Sequence, residues 1–283
     1  MSKNVSLVHS VAELRAAVAR SRAAGERVAL VPTMGALHAG HLSLVEAARG
    51  HAERVVVTIF VNPAQFGPSE DFGKYPRTLP EDLAQLALVG ADLCFAPSVE
   101  EIYPRGFATR IEVDGPARAG LEDRFRPTHF CGVATIVAKL LNQAQADVAI
   151  FGEKDYQQLL VIKRLAQDLD IATQILAAPT MREEDGLAMS SRNVYLSAEE
   201  RRIAPALHAA LNEAKRGVAG GESVAPVMEK ARASLEASGF LVDYVEARHA
   251  LTLAPLAGQR EAPVRLLAAV KLGGVRLIDN IEG

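Results

Sequence analysis

The strongest constraint on this chain is an alternation that runs through its first 180 residues. Short apolar runs, Arg27–Val31, Arg54–Val61, Asp92–Ala96, Asp147–Phe151 and Ile171–Ala177, are separated by stretches with helical spacing. The helical stretches are Val11–Ala24, His41–Ala52, Pro80–Val89, Val133–Ala144 and Lys154–Asp168. Strands alternating with helices imply βαβ units. Several of the runs, VVVTIFV at 55–61 above all, are apolar nearly throughout rather than at every second position. Such strands are buried on both faces, as in a parallel sheet covered by helices. The expected architecture is an α/β, doubly wound, Rossmann-like domain over residues 1–180, whose ligands bind beyond the carboxyl ends of the strands.

The pattern changes after PTMREEDG at 179–186, a charged, turn-rich stretch that reads as a domain boundary or hinge. Ser197–Arg216 and Val224–Ala237 have helical spacing, and strand-like runs follow at Leu241–Arg248, Pro263–Lys271 and Val275–Ile278. Gly273-Gly274 fits a tight hairpin between the last two. Residues 181–283 are thus expected to form a smaller α+β domain.

Composition excludes several function classes. Lys plus Arg number 31 against 34 Asp plus Glu, a net of −3, so the basic excess of a nucleic-acid-binding domain is missing. The longest strongly apolar run is far short of the ~20 residues of a membrane span. The start, MSKNVSLVHS, lacks the apolar core of a signal peptide. Cys94 and Cys131 are too few for a disulfide framework or a Cys-based zinc site, and both read as buried free thiols, which fits a reducing, cytoplasmic compartment.

The stretch VPTMGALHAGHLSLV at 31–45 carries the most chemical information. A strand ends at Val31, a loop with Gly35 follows, and His38 and His41 open a helix. Backbone N–H groups and the positive end of the helix dipole favour phosphate there. Two imidazoles on one side can donate hydrogen bonds as charge develops in a transition state. A zinc site would need a third ligand, and none stands at a useful spacing. Chance surface histidines are the remaining alternative, which the strand-to-helix context disfavours.

Three further stretches fall where ligands sit in this fold class. In IFGEKDYQQLL at 150–160, a strand and a glycine lead into a helix opening with Glu153, Lys154 and Asp155. A Lys at a helix start opposes the dipole, and that local cost hints at a task; the alternative is a solvated Lys pairing with Glu153 or Asp155. Gln157 and Gln158 follow. In DGLAMSSRNVYLS at 185–197, Ser190, Ser191 and Arg192 form a compact donor cluster, or else a capped loop end with a surface Arg. Asn62 and Gln65 lie just past the strand at 54–61, and Glu81 with Asp82 reads as the acidic first turn of a helix, with a magnesium contact as the minor alternative. Arg124, Arg126 and His129 precede an apolar helix whose entry could face ligand.

Taken in order, PTMGALHAGH, IFVNPAQF, YPRTLPED, HFCGVATIVAKLLN, FGEKDYQQL and DGLAMSSRNVYL resemble the pantoate–β-alanine ligase (pantothenate synthetase) family of the HxGH nucleotidyltransferase group. The resemblance is strong over 27–197 and continues weakly to RLIDN near the C-terminus.

It implies ATP-dependent ligation of pantoate and β-alanine through a pantoyl adenylate, releasing pyrophosphate and AMP. It places Met34, Gly35, Ala36, Leu37, His38, Ala39, Gly40 and His41 at ATP, with His41 as proton donor or leaving-group stabiliser. Gly152, Glu153, Lys154 and Asp155 join them, as do Met189, Ser190, Ser191 and Arg192; the Met181 backbone is implied for adenine. Gln65 and Gln158 are implied for pantoate, and Gln65 also for β-alanine. Mg2+ would be held mainly through phosphates, with no protein metal site. The resemblance further implies a homodimer and a second domain acting as a lid. The competing readings are a same-fold nucleotidyltransferase with another acceptor, and a non-catalytic nucleotide-binding module.

Overall fold

The apolar runs become strands β1 (Ser6–Val8), β2 (Val28–Thr33), β3 (Arg54–Ile59), β4 (Leu93–Phe95), β5 (Val148–Gly152) and β6 (Gln174–Ala178). The helices up to residue 168 are α1 (Val11–Ala23), α2 (Ala39–Arg49), α3 (Leu79–Leu88), α4 (Val99–Ile102), α5 (Glu122–Phe125), α6 (His129–Ala144) and α7 (Tyr156–Asp168). This computed structural model describes residues 4–68, 70–256, 258 and 263–283. By their packing, residues group into two units: Met1–Ala117, Arg126–Gly152 and Gln158–Pro179 form the first, and Arg118–Phe125, Glu153–Gln157 and Thr180–Gly283 the second.

In the first unit the strands pair in the order β1-β4-β3-β2-β5-β6, every pair parallel. Burial on both faces follows from the sequence: Val28, Ala29, Leu30 and Val31 are all fully buried, and alternate residues serve opposite layers. Val28, Leu30, Val56 and Phe95 pack with Leu14 and Val18 of α1, with α6, and with Leu159 and Ile162 of α7. Ala29, Val31, Val57, Cys94 and Ile150 pack with Leu44, Val45 and Ala48 of α2 and Leu86 of α3. Strand order reverses at β2: the chain proceeds through β3 and β4 on one side and through β5 and β6 on the other. The carboxyl ends of β2 and β5 therefore flank the switch point where this architecture takes its ligands.

The second unit has α8 (Ala198–Ile203), α9 (Ala206–Ala219), α10 (Val224–Ala237) and an antiparallel sheet of β7 (Leu241–His249), β8 (Val264–Leu272) and β9 (Val275–Glu282). One sheet face, with Val245, Leu266, Ala268, Val270 and Leu277, packs on Leu207, Leu211 and Ala214 of α9 and Met228 and Leu235 of α10. The other face presents Tyr244, Arg265, Arg276 and Asn280, and these take up the two short segments borrowed from earlier in the chain. Arg276 grips the Glu122 carboxylate with two N–H groups at 2.7 and 2.9 Å, and Tyr244 Oη donates to it at 2.8 Å.

Local differences from the sequence reading have plain causes. The helix expected over Ser197–Arg216 is two helices, because Pro205 lacks an N–H and its ring obstructs the preceding turn. The helix expected from Lys154 begins at Tyr156, after a 3-10 turn at Glu153–Asp155. The three-residue β1 had no legible signal. Cys94 is buried, but Cys131 is half-buried rather than enclosed. Most of PTMREEDG is a hairpin of the second unit, with Arg182 bridging Ala188. Its ion pairs hold it: Arg182 to Asp279 at 2.7 Å, and Arg201 to Glu183 and Asp185 at 2.6 Å each. Burial would raise the Asp279 carboxyl, but the His208 imidazole 3.4 Å away and the hydrogen bonds from Arg182 outweigh it and hold it below its ordinary value.

Candidate active site

The loop after β2 is held from both sides. Thr33 Oγ1 donates to the Thr58 carbonyl at 2.7 Å and accepts from Gly35 N–H at 3.2 Å. Asp82, only 1% exposed, accepts from Leu37 N–H at 2.8 Å and Ala36 N–H at 3.1 Å. Gly35 has φ +79°, and a Cβ there would stand 2.9 Å from an Ile59 methyl and 3.0 Å from Asp82 Oδ2. Ala36 follows at φ +50°, a left-handed conformation costing about 1–2 kcal/mol for a residue with a Cβ. The Asp82 carboxylate is what offsets that cost. This acid is therefore a cross-brace to a loop 46 residues away, and its oxygens are already engaged rather than offered to a metal.

The loop delivers His38 to the N-cap of α2. Its Nδ1 accepts from Gly40 N–H at 3.1 Å, which in the neutral ring leaves the proton on Nε2. His41, in the first helical turn, stacks on it with ring centroids 4.1 Å apart and a 40° tilt. Met34 through His41 are thus one continuous feature: a strand exit, a braced turn and a helix amino end carrying two imidazoles.

Gln65 sits in a 3-10 turn, Pro63–Gln65, after β3. Its Oε1 accepts from Asn62 Nδ2 at 3.0 Å, and its Nε2 lies 3.2 Å from Met34 Sδ. With the amide oxygen engaged, Nε2 is the group Gln65 can offer a carboxylate or hydroxyl. Asn62, 1% exposed, organises the turn: it accepts from Ala64 N–H and from Tyr103 Oη (2.7 Å) and donates to the Gly132 carbonyl. Burial pushes the Tyr103 phenol up to about 12, so it stays a donor. The Gln65 carbonyl is taken by His129 Nδ1 at 3.0 Å, and Arg126 pairs with Glu70 at 2.7 Å. Burial works against the Glu70 charge, yet its bonds to Arg126 keep its carboxyl below the ordinary value. Arg126 and His129 therefore support the Gln65 turn, while Arg124 lies in α5.

Gly152 ends β5 in the first unit, where a Cβ would meet only ordinary contact with Leu44 at 3.9 Å. Glu153, Lys154 and Asp155 belong to the second unit, with Lys154 Nζ 3.7 Å from Asp155. The two neighbouring glutamines part company. Gln157 is 3% exposed and spent on Glu122 N–H and Asp123 Oδ1, both at 2.9 Å. Gln158 is only half-buried, in the first turn of α7.

Met181 and Met189 are joined, Met189 N–H donating to the Met181 carbonyl at 3.0 Å. Ser190 caps the turn Ser191–Tyr195, accepting from Arg192 N–H at 3.3 Å while its own O–H remains a donor. Asn193 fastens this turn to Glu183 and the Ala188 carbonyl. Among the described residues, no group of three or more His, Cys, Asp or Glu side chains is arranged to hold a metal ion.

Sequence reasoning placed Asn62 at the ligand edge but did not see it or Asp82 as ties, and it passed over Tyr103 and, in the second unit, Arg265 and Asn280. Tyr103, Arg265 and Asn280 carried no local signal.

The model of the pantoate–β-alanine ligase family matches residues 6–282. The chain belongs to that family. It is accordingly an enzyme, of the acid–amine ligase class. It is 53% identical over 281 residues to pantothenate synthetase 2 of Bradyrhizobium diazoefficiens, covering 99% of each chain, and equally so to a pantothenate synthetase of Rhodopseudomonas palustris. Among solved structures, a pantothenate synthetase from Thermus thermophilus superposes with a TM-score of 0.93 at 50% identity, over 98% of this chain and 99% of that one. A pantoate–β-alanine ligase from Francisella tularensis, complexed with beta-gamma ATP and beta-alanine, gives 0.82 at 33% identity, over 98% of this chain and 97% of that one.

Proposed function

We propose that the ligase works in two half-reactions at the carboxyl edge of the parallel sheet. In the first, a pantoate carboxylate oxygen attacks the α-phosphorus of ATP; the α-phosphorus bond to the bridging oxygen breaks, and pyrophosphate leaves. In the second, the β-alanine amine attacks the acyl carbon of the adenylate; the bond to the AMP oxygen breaks, AMP leaves with the electron pair, and the amine loses a proton.

The observation that carries this reading is the braced loop with its paired imidazoles at the amino end of α2. Nucleotidyl transfer asks the protein mainly to position groups and stabilise charge. The positive end of the α2 dipole favours phosphate, and the His38 and His41 imidazoles are carried there side by side. His41 is assigned as the proton donor or stabiliser for departing pyrophosphate. Lys154, Ser190, Ser191 and Arg192 are assigned to ATP phosphates, Gly152, Glu153, Asp155 and Met189 to further ATP contacts, and the Met181 backbone to adenine. Gln65, whose amide nitrogen has a second N–H besides the one given to Met34 Sδ, is assigned to pantoate and β-alanine, and Gln158 to pantoate. The ATP and β-alanine in the Francisella tularensis complex support these ligand classes.

Mg2+ enters with ATP as part of the substrate. The donor set fits that role, since such ions are held by phosphates, water and one or two carboxylates rather than by a full protein cage. Its contribution is to offset phosphate charge. Two unpaired thiols, Cys94 and Cys131, accord with a reducing cytoplasmic setting, and a homodimer is the assembly we assign. No helix among the described residues is long and apolar enough to cross a membrane.

ATP–pyrophosphate isotope exchange with Mg2+, with and without pantoate and with β-alanine left out, tests the scheme. Exchange that requires pantoate is expected; exchange equally fast without it refutes the first half-reaction. His41→Ala should slow exchange far more than it weakens ATP binding, because its contact is to charge that develops only in the transition state.

A further inference from the structure

We propose that Asn280, seconded by Arg265, is the positioning residue that sets Lys154 for the ATP half-reaction; this rests on the assignment of Lys154 to ATP phosphates given above. Asn280 lies on β9 and is 3% exposed. Its Nδ2 donates to two successive backbone carbonyls, Glu153 at 3.0 Å and Lys154 at 2.8 Å. Its Oδ1 accepts from Arg265 Nε at 2.6 Å. Arg265 in turn pairs with the Glu153 carboxylate at 3.1 Å and lies over the Tyr156 ring, 4.1 Å from its centroid. Every hydrogen-bonding group of the Asn280 side chain is therefore spent on, or tied through Arg265 to, the turn that carries Lys154.

The chemistry of the amide explains why asparagine stands there. A primary amide has two donors on nitrogen and an acceptor on oxygen. Two carbonyls of adjacent residues drawn onto one nitrogen fix the two peptide planes on either side of the Lys154 Cα, and with them the direction in which the lysine side chain leaves the backbone. An aspartate has nearly the same shape and would still accept from Arg265. It would, however, set a carboxylate oxygen against two carbonyls where donors are required. Placement of this kind matters for a flexible lysine, because the four-carbon stem gives its ammonium no direction of its own.

The test is a kinetic double-mutant cycle on the full chain: wild type, N280D, K154A and the double variant, with ATP varied in assays of pantothenate formation and thermal melting in parallel. A displacement of about 1 Å at a catalytic group can cost about 10²-fold. N280D is therefore expected to lower kcat/KM for ATP by about 10- to 100-fold when Lys154 is present, and by less than about twofold on the K154A background. Equal loss on both backgrounds would make Asn280 a general structural residue and overturn the proposal, as would no loss on the wild-type background. A K154A variant with wild-type kcat/KM would instead overturn the Lys154 assignment itself, and the positioning role with it. N280A, which removes the donors without adding a charge, runs through the same cycle should N280D fail to fold, with the same outcomes deciding.

Discussion

Gly132 offers a test of how finely the Gln65 turn is placed. This glycine lies within α6, and a Cβ built on it would stand 2.2 Å from the Ala64 carbonyl oxygen, 2.5 Å from its carbon and 2.7 Å from Gln65 Cα. Two effects of opposite sign compete in Gly132→Ala. Alanine favours the helix by about 1 kcal/mol. Against that, side-chain Cβ atoms essentially never approach closer than 3.0 Å, so helix and turn must separate by about 0.8 Å, and the atoms that must move are backbone. Overpacking of this kind costs about 1–3 kcal/mol. The balance is a net destabilisation of about 0–2 kcal/mol, small enough for the variant to fold.

The larger consequence is functional. The displaced atoms include Gln65 Cα, and the Asn62 Nδ2 bond to the Gly132 carbonyl stretches with them. A misplacement near 1 Å can cost about 10²-fold, equivalent to about 2.7 kcal/mol in the barrier. Initial rates with pantoate varied should show kcat/KM falling by about that factor while the melting temperature changes by only a few degrees. Activity within twofold of the parent, with an unchanged melting temperature, would refute the claim that this close approach sets the position of Gln65.

Asp82→Asn should destabilise the protein by about 1–3 kcal/mol and depress kcat/KM for ATP, because one amide donor would face the Ala36 or Leu37 N–H; a melt and ATP kinetics both at parental values would contradict the bracing role. Asp279 has a folded-state pKa below its unfolded value, so its contribution is fully present above about pH 3.9 and is lost as pH falls through the folded value. Asp279→Asn should therefore be less stable at neutral pH yet show a shallower acid limb in denaturant titrations, and parallel curves for variant and parent would count against it. Burial pushes the Cys94 thiol up to about 12, so at pH 8 iodoacetamide should leave it unmodified in the native protein and alkylate it after denaturation, as read by mass spectrometry of its peptide. Native-state labelling at the rate of a free thiol would show that the β4 environment is not closed.

The parts of the fold that could be read from sequence are those governed by local pattern. The largely apolar β2, β3 and β5 read as strands covered on both sides, and that gives a doubly wound sheet with its ligand edge. His38 and His41 were legible for the same reason: a strand, a glycine and a helix start within a dozen residues fix their setting. Pro205 was also a local signal, and the helical spacing on either side of it hid the break. The remainder depended on contacts distant in sequence. Asp82 in a first helical turn looks like any dipole-matching acid until Ala36 and Leu37 are brought to it. Gln157 and Gln158 are adjacent and alike, and only Glu122 and Asp123, packed against one of them, tell them apart. Asn280 stood in RLIDN, the weakest part of the resemblance, and its partners lie 126 and 127 residues earlier.

The pairing of β2 with β5 has a consequence for biosynthesis. Ala29 and Leu30 meet Val148 and Ala149, so the two strands that flank the ligand crevice are separated by about 119 residues of chain. The β2–β3 and β3–β4 pairs close over short connections, but this one must wait for β5 to be made. At about 5–20 residues per second, the apolar edge of β2 stands open on the nascent chain for about 6–24 s. During that interval it is an unpaired strand edge of the kind that recruits foreign strands. The strand edge bordering the proposed site is thus also the point at which synthesis is most exposed to misassembly, and translation speed between β2 and β5 becomes a determinant of yield.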